Sequence, residues 1–352
     1  MGFKIERVPA PLWVRPLLPF AAVLITFMIT SILVVMVDAS PIEAYYYFLI
    51  DPLSSQVSAV EVLVKSTPLL LTGAAVTFAF IGGFWNIGAE GQLYAGATAA
   101  TFIGIQMEGV SPWISIPLMI VGGFLAGMLW VLIPALMKVK LAIDEVVTTL
   151  LLNSVAIFIV SALLNGPWRN PVSMWPQSPE IAPSAIFPKL IPRSRLHLGF
   201  ILAVIIIIVL WFVLTRTAFG LRMRAVGLGA QAARFAGINV ERTMLLSALI
   251  SGGIAGLAGV SEVAGIHYHL IDAISPGYGY TGIIIATLGT LNAWGVALAA
   301  IFIGLIDTGS QTVSRALGVP AYLGDVIQAA LLLVTLGVLL LQSYRITRKE
   351  KA

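Results

Sequence analysis

The sequence predicts an all-α polytopic membrane protein of about ten transmembrane helices, arranged as two inverted five-helix repeats with broken helices. Three observations predict it. Of the 352 residues, 59% are hydrophobic and only 10% charged, against roughly 25% charged in soluble domains. The apolar residues gather in about ten runs, most reaching the ~18–20 residues that cross a ~30 Å hydrocarbon core. Basic residues gather in a few short polar segments, the distribution that sets orientation in a bilayer. Length alone would suggest two soluble domains, but the apolar runs override it, and 1–352 reads as a single transmembrane domain.

The first run, Leu17–Val37, follows Lys4, Arg7 and Arg15 in the manner of a signal peptide. It is long enough to span, and Asp38-Ala39-Ser40-Pro41 is a poor cleavage site, so a retained first helix with an inside N-terminus is expected. The interval 38–61 carries Asp38, Glu43, Asp51 and Glu61 and no base, which places it outside. Repeat 1, about 17–165, continues with Val62–Gly82, Gly88–Gln106, Trp113–Met137 and Val146–Leu164, with Lys138 and Lys140 inside. The proline-rich loop 166–198 is assigned outside and is long enough to fold as a small external element. Its Arg169, Lys189, Arg193 and Arg195 run against the positive-inside rule. Repeat 2, about 199–344, opens with Gly199–Thr215. The following stretch 216–242 holds five arginines against one glutamate, the strongest inside signal in the chain. Thr243–Ala264, the short Tyr280–Leu291, Gly295–Thr312 and Leu323–Tyr344 complete it. The tail 345–352, with Arg345, Arg348, Lys349 and Lys351, is inside.

Between two of these runs lies Gly83-Phe84-Trp85-Asn86-Ile87-Gly88-Ala89-Glu90-Gly91-Gln92. Hydrocarbon cannot hydrogen-bond to a carboxylate or a free peptide group, so this break must be buried in protein or line a watery cavity. Ser275-Pro276-Gly277-Tyr278-Gly279-Tyr280-Thr281-Gly282 stands at the corresponding place in the second half. Paired, glycine-interrupted segments point to a midplane pathway. The candidate pathway residues are Trp85, Asn86, Glu90, Gln92, Asn153, Ser275, Tyr278 and Tyr280. Glu90 has three readings: a pathway or gate carboxylate, a buried pin accepting from freed backbone N–H groups, or a group at the cytoplasmic surface.

In the basic stretch, Ala230–Ala236 suits a short helix closed by Gly237. Either it is a plain positive-inside loop, or it docks on a cytoplasmic partner through Arg224, Gly227, Ala232, Ala233, Arg234 and Gly237. Gly252, Gly256 and Gly259 fall at helical spacing and suit tight helix packing, within the subunit or across a dimer. Asp144 and Glu145 fit a helix N-terminus. Glu262, His267, Tyr268 and His269 suit an outer vestibule or interfacial anchoring. Asn165–Pro179 reads as an external docking platform or a lid. There are no cysteines, and His197, His267 and His269 are too scattered for a metal site, so no metal or cofactor is expected. Phosphate-loop, nucleophile-elbow and zinc-helix motifs are absent, so the chain is not expected to be an enzyme or to bind ATP in that way. Membrane lipid, not nucleic acid, explains the net charge of +4.

Trp85–Gln92, Asp144-Glu145-Val146-Val147-Thr148-Thr149-Leu150, Trp175-Pro176-Gln177-Ser178-Pro179 and Arg224-Ala225-Val226-Gly227 through Ala236-Gly237-Ile238 resemble one family. It is the permease subunit of bacterial ABC importers for nucleosides and simple sugars, in the wider group of ribose and branched-chain amino acid permeases. The resemblance covers about 60–340. It implies a second permease subunit (homo- or heterodimer), two cytoplasmic ATPase subunits and an extracytoplasmic substrate-binding lipoprotein. The setting it implies is the inner, cytoplasmic membrane. It also implies that 222–239 is the ATPase-coupling region and that the two breaks flank the translocation path. A branched-chain amino acid or other small-solute permease is the nearest alternative. A stand-alone ion-coupled transporter using Glu90 and Glu262 is the distant one.

Overall fold

The computed structural model describes residues 3–6, 17–320, 322–343 and 345–348. Arg7, Arg15, Lys349 and Lys351 lie outside them. Thirteen α-helices are present among the described residues: α1 Leu18–Met36, α2 Pro41–Leu49, α3 Gln56–Ile81, α4 Ala89–Ile105, α5 Pro112–Leu141, α6 Glu145–Asn165, α7 Leu198–Arg216, α8 Ala218–Leu228, α9 Ala230–Phe235, α10 Val240–Glu262, α11 Tyr278–Leu288, α12 Ala293–Leu317 and α13 Leu323–Ser343. The regular strands are two short ones, β1 Phe3–Glu6 and β2 Arg345–Arg348, paired antiparallel from Phe3↔Arg348 to Glu6↔Arg345. No helix is expected before Leu17 or after Tyr344, and residues 3–6 and 345–348 form this ladder. Phe3-Lys4-Ile5-Glu6 alternates apolar and charged residues, a period that suits a ladder better than a helix stripe.

Each of the ten apolar runs contains a helix. By length and apolarity, six helices qualify as spans among the described residues: α3, α5, α6, α7, α10 and α12. A seventh span arises if α1 and α2, bent by 119° at Asp38–Ser40, are counted as one. Two of the helices that do not qualify are short. Helix α4 has 17 residues and α11 has 11, so at 1.5 Å per residue α11 is only about 16 Å long.

The chain forms two compact units, residues 1–54 with 306–352, and residues 55–305. In the first, α1 packs along α13. Tyr45 anchors α2 to α1, its ring 4.7 Å from that of Phe27 and its hydroxyl donating to the Phe27 carbonyl at 2.6 Å. In the second, α3 and α10 form the centre: 89% and 72% of their apolar windows are buried, against 22–28% for α5, α6 and α7. Each of these central helices is followed by a break and a shorter helix, α4 or α11.

Glycine permits this density. A Cβ at Gly252 would stand 2.6 Å from the Gly127 carbonyl oxygen, one at Gly256 3.2 Å from Gly127 Cα, and one at Gly259 2.6 Å from Ala97 N. The small-residue face of α10 thus lies against α4 and α5, with backbone meeting backbone inside the subunit.

Candidate functional site

Helix α3 ends at Gly82. Gly83 takes φ +78°, and the Phe84 N–H returns to the Ala79 carbonyl at 3.0 Å. Phe84 is fully buried among Ala79, Val131, Ala135 and Ala248, which fixes where the chain leaves the helix. The freed peptide groups of 85–91 then need partners at membrane depth.

One face of α6 supplies them. Glu145, Thr149 and Asn153 follow at four-residue spacing and so line one stripe. Glu145 accepts from Trp85 N–H at 3.4 Å, and the Thr149 hydroxyl accepts from Ile87 N–H at 3.2 Å. Asn153 takes two groups: its Oδ1 accepts from Gly91 N–H at 2.8 Å, and its Nδ2 donates to the Ile87 carbonyl at 2.9 Å. Lys138 closes on the other oxygen of Glu145 at 2.5 Å. Asp144 caps α6 through Val146 and Val147 N–H, as its position suggested. Glu145, which the sequence also assigned to the helix start, instead reaches across to the break.

A second lattice lies against α10. Asn86 and Gln92 exchange two amide hydrogen bonds, Nδ2 to Oε1 at 2.9 Å and Nε2 to Oδ1 at 2.8 Å. Asn86 also donates to Ser251 Oγ at 3.0 Å and accepts from Gly88 N–H at 3.0 Å. The Ser251 hydroxyl donates in turn to the Ala75 carbonyl of α3 at 2.6 Å. The Asn86 amide therefore ties the break to α3 and α10 together.

Glu90 reaches the other break. Its carboxylate is 2% exposed and accepts from Gly279 N–H, in the first turn of α11, at 2.7 Å. Ser275 and Gly277 lie beside it, the Gly277 N–H donating to Ser275 Oγ at 3.2 Å. Ser275 Oγ also accepts from Tyr278 N–H at 2.9 Å. A Cβ at Gly279 would lie 2.5 Å from Glu90 Cα and 2.6 Å from the Ala89 carbonyl carbon. The start of α11 thus rests directly on the backbone start of α4. The two breaks, 189 residues apart in the pair Glu90–Gly279, meet.

Of the eight pathway candidates, Asn86, Glu90, Gln92, Asn153, Ser275 and Tyr278 are buried around this junction. Trp85 and Tyr280 are 53% and 39% exposed. A surface position for Glu90 does not hold. Thr149 and Ser251 escaped the sequence reading, although the 145/149/153 spacing was available to find the first. No group of three or more His, Asp or Glu side chains able to hold a metal occurs among the described residues.

The model for the branched-chain amino acid transport system / permease component family matches residues 58–336. The chain belongs to this permease family. It is 34% identical to a glucose ABC transporter permease protein of Haloferax volcanii, over 97% of this chain and 92% of that one. It is 34% identical to a guanosine ABC transporter permease protein of Bacillus subtilis, over 78% and 79% of the two chains. A nucleoside ABC transporter permease protein of Lactococcus lactis subsp. cremoris is 28% identical over 90% of each. No solved structure matches. The chain is a multi-pass membrane permease component and not an enzyme.

In this permease, α8 and α9 sit beside the first break. A Cβ at Gly227 would press on the Ile81 carbonyl group that ends α3, and Gly83 lies 3.4 Å from Gly227 by the same measure. Ala233, Val226 and Val240 form a small core beneath α9. Leu228 and Phe235 are 91% and 97% exposed at its tip. The short helix expected at Ala230–Ala236 forms as Ala230–Phe235, and Gly237 takes φ +80°.

On the opposite side, loop 166–197 is strapped to the end of α10 and the segment that leads into the second break. Ser178 N–H donates to the Leu270 carbonyl at 2.9 Å, Ile181 N–H to Tyr268 at 2.8 Å and Phe187 N–H to Ala264 at 2.9 Å. Helix α10 ends there in a π-turn, Val263–His267, with Glu262 3.6 Å from His267. The Tyr94 hydroxyl of α4 donates to the Asp272 carbonyl at 3.0 Å. His197 caps α7, its Nδ1 accepting from Gly199 N–H at 3.1 Å, and burial lowers its pKa to about 4.

Proposed function

We propose that this chain is the transmembrane subunit of an ATP-driven importer, carrying nucleosides or simple sugars handed over by an extracytoplasmic binding lipoprotein. It would pair with a second permease and two cytoplasmic ATPase subunits in the inner membrane of the cell. The observation that carries the mechanism is the Glu90–Gly279 junction. The first break abuts α8 through Gly227, and the segment that leads into the second, from Ala264 to Ile271, is strapped to loop 166–197. A displacement of α8–α9 by an ATPase is then passed through Gly83 to α4, through Glu90 to α11, and onward to Tyr268–Asp272. Glu90 acts as the pin of this linkage. Trp85 and Tyr280, the exposed aromatics beside it, offer faces on which a base or a sugar ring can stack.

Arg224 and Arg234, with the bare Phe235 and Leu228, suit a docking tip: apolar knobs for a groove and guanidinium groups for an acidic rim. Pairing of β1 with β2 supports an even number of crossings, because both ends then lie on one side. Ten crossings in two inverted repeats satisfy this, with α4 and α11 as short, corresponding half-spans. Lys4, Arg345 and Arg348 assign that side to the cytoplasm, and the basic stretch 216–242 marks the cytoplasmic end of residues 55–305 by itself.

The test is reconstitution of the permease with its partner subunits in liposomes. Uptake of radiolabelled guanosine or glucose should require the binding protein and ATP together. Uptake by the permease alone, driven by an ion gradient, would overturn the proposal.

A further inference from the structure

A cleft of about 450 Å³ opens between α4, α5 and α6, away from the junction. Its floor is unusually small-sided: Ala95, Ala99, Ala126 and Ala156 leave space where larger side chains would have filled it. Its outer rim is aromatic, with the rings of Phe102 and Trp168 stacked at 6.2 Å and 10°. We propose that this cleft is a binding site for one acyl chain of an outer-leaflet phospholipid.

Hydrogen bonding decides the class of occupant. A sugar or nucleoside needs several free donors and acceptors facing it, and the lining offers few. The Thr98 hydroxyl donates to the Tyr94 carbonyl at 2.8 Å, and the Tyr94 hydroxyl donates to Asp272. The Trp130 Nε1–H has no hydrogen-bond partner, but it is buried against α4, where a Cβ at Gly91 would lie 2.9 Å from it, so the cleft meets only the ring. What remains is an apolar slot that hydrocarbon fills without loss of any hydrogen bond. Its height agrees. From Tyr94 to Phe102 helix α4 rises roughly 12 Å, close to the ~15 Å of one leaflet's hydrocarbon. The flanking side chains Leu129 and Ile159 are 65% and 44% exposed, the composition of a lipid-facing wall. The stacked pair at the rim sits where aromatic rings gather at the headgroup level. The leaflet assignment rests on the orientation given under Proposed function.

The test uses the assembled transporter, extracted mildly and weighed by native mass spectrometry. Ala126→Phe and Ala156→Phe fill the cleft, and Val204→Phe on the outward face of α7 is the control. Wild type and control should retain one phospholipid per permease subunit, and the two cleft variants at least fivefold less, with assembly and uptake unchanged. A phospholipid carrying a diazirine at mid-chain, applied to the wild-type transporter, should label peptides holding Phe102, Leu129 or Ile159. Equal lipid retention in all variants, or label spread evenly over the outward helix faces, overturns the site. So does protection of the cleft by guanosine or glucose. So do cross-links from a photoreactive residue at Leu129 into the second permease, which would make the cleft a subunit contact. Cleft variants that transport normally yet keep their lipid sink this inference and leave the importer reading standing.

Discussion

Replacing Asn153 by Leu removes the polar stitch between α6 and the first break while keeping the side-chain volume. Asn153 is fully buried, so water cannot take over its two bonds. The substitution strands Gly91 N–H and the Ile87 carbonyl, each at about 1–3 kcal/mol when left unpaired in protein. Interhelical hydrogen bonds measured in membranes are weaker, about 0.6 kcal/mol on average with a maximum near 1.7. The cost should therefore fall at roughly 2–4 kcal/mol. Asn153→Asp keeps the acceptor for Gly91 but turns an oxygen toward the Ile87 carbonyl, so it should be no milder. Asn165→Ala, which removes only an exposed bond to the Ser161 carbonyl, should change stability by less than about 0.5 kcal/mol. The assay is thermal unfolding of the purified permease in one detergent. At about 2 °C per kcal/mol for a chain this size, Asn153→Leu should melt roughly 4–8 °C lower. A melting temperature equal to that of Asn165→Ala would refute the claim that α6 holds the break.

Three further outcomes follow from the same geometry. Glu90→Gln leaves an amide oxygen able to accept from Gly279 N–H, so folding should persist. Uptake within about twofold of wild type assigns Glu90 to the pin, whereas loss of uptake at an unchanged melting temperature would assign its charge to the solute. Arg234→Glu and Gly237→Leu should each lower recovery of the ATPase on the tagged permease at least fivefold. A Cβ at Gly237 meets no atom within 4 Å, but a leucine there must adopt φ +80°, at a cost of about 1–2 kcal/mol. Unchanged ATPase recovery in both would remove α9 from the docking surface. His197 is buried neutral with its pKa lowered to about 4, so folding disfavours its protonated form. The stability present above about pH 6.5 is then lost as pH falls toward 4, roughly 2 kcal/mol of it by pH 5. His197→Asn keeps the cap and should flatten this slope in a melting series from pH 7.5 to 5; an equal slope would assign the pH dependence elsewhere.

Much of this was legible because hydrocarbon is an unforgiving solvent. A polar, glycine-rich segment between apolar runs has few legal positions, so the places of both breaks followed from composition alone. So did Asp144 as a cap and the close-packed glycine face of α10. Spacing also foretold the helix before Gly237. The partners were not legible. Glu145 reads as an ordinary first-turn carboxylate until α6 is laid beside residue 85, and Ser251 looks like one more small residue of its stripe. Glu90 could not be assigned, because the group it binds belongs to a chain segment 189 residues away. Helix α11 read as too short to span, and it is short because its N-terminus stops at that carboxylate.

The central claim is that the linkage runs through the contact of Gly279 with Glu90. A methyl group at Gly279 would lie 2.5 Å from Glu90 Cα, so the two backbones must part by about 1 Å before ordinary contact near ~3.5 Å returns. The decisive measurement is solute imported per ATP hydrolysed by the reconstituted transporter carrying Gly279→Ala, with Gly337→Ala, which meets no atom within 4 Å, as control. With subunits still assembled, the ratio should fall at least tenfold for Gly279→Ala and stay unchanged for Gly337→Ala. A ratio equal to wild type in an assembled Gly279→Ala transporter would contradict the account.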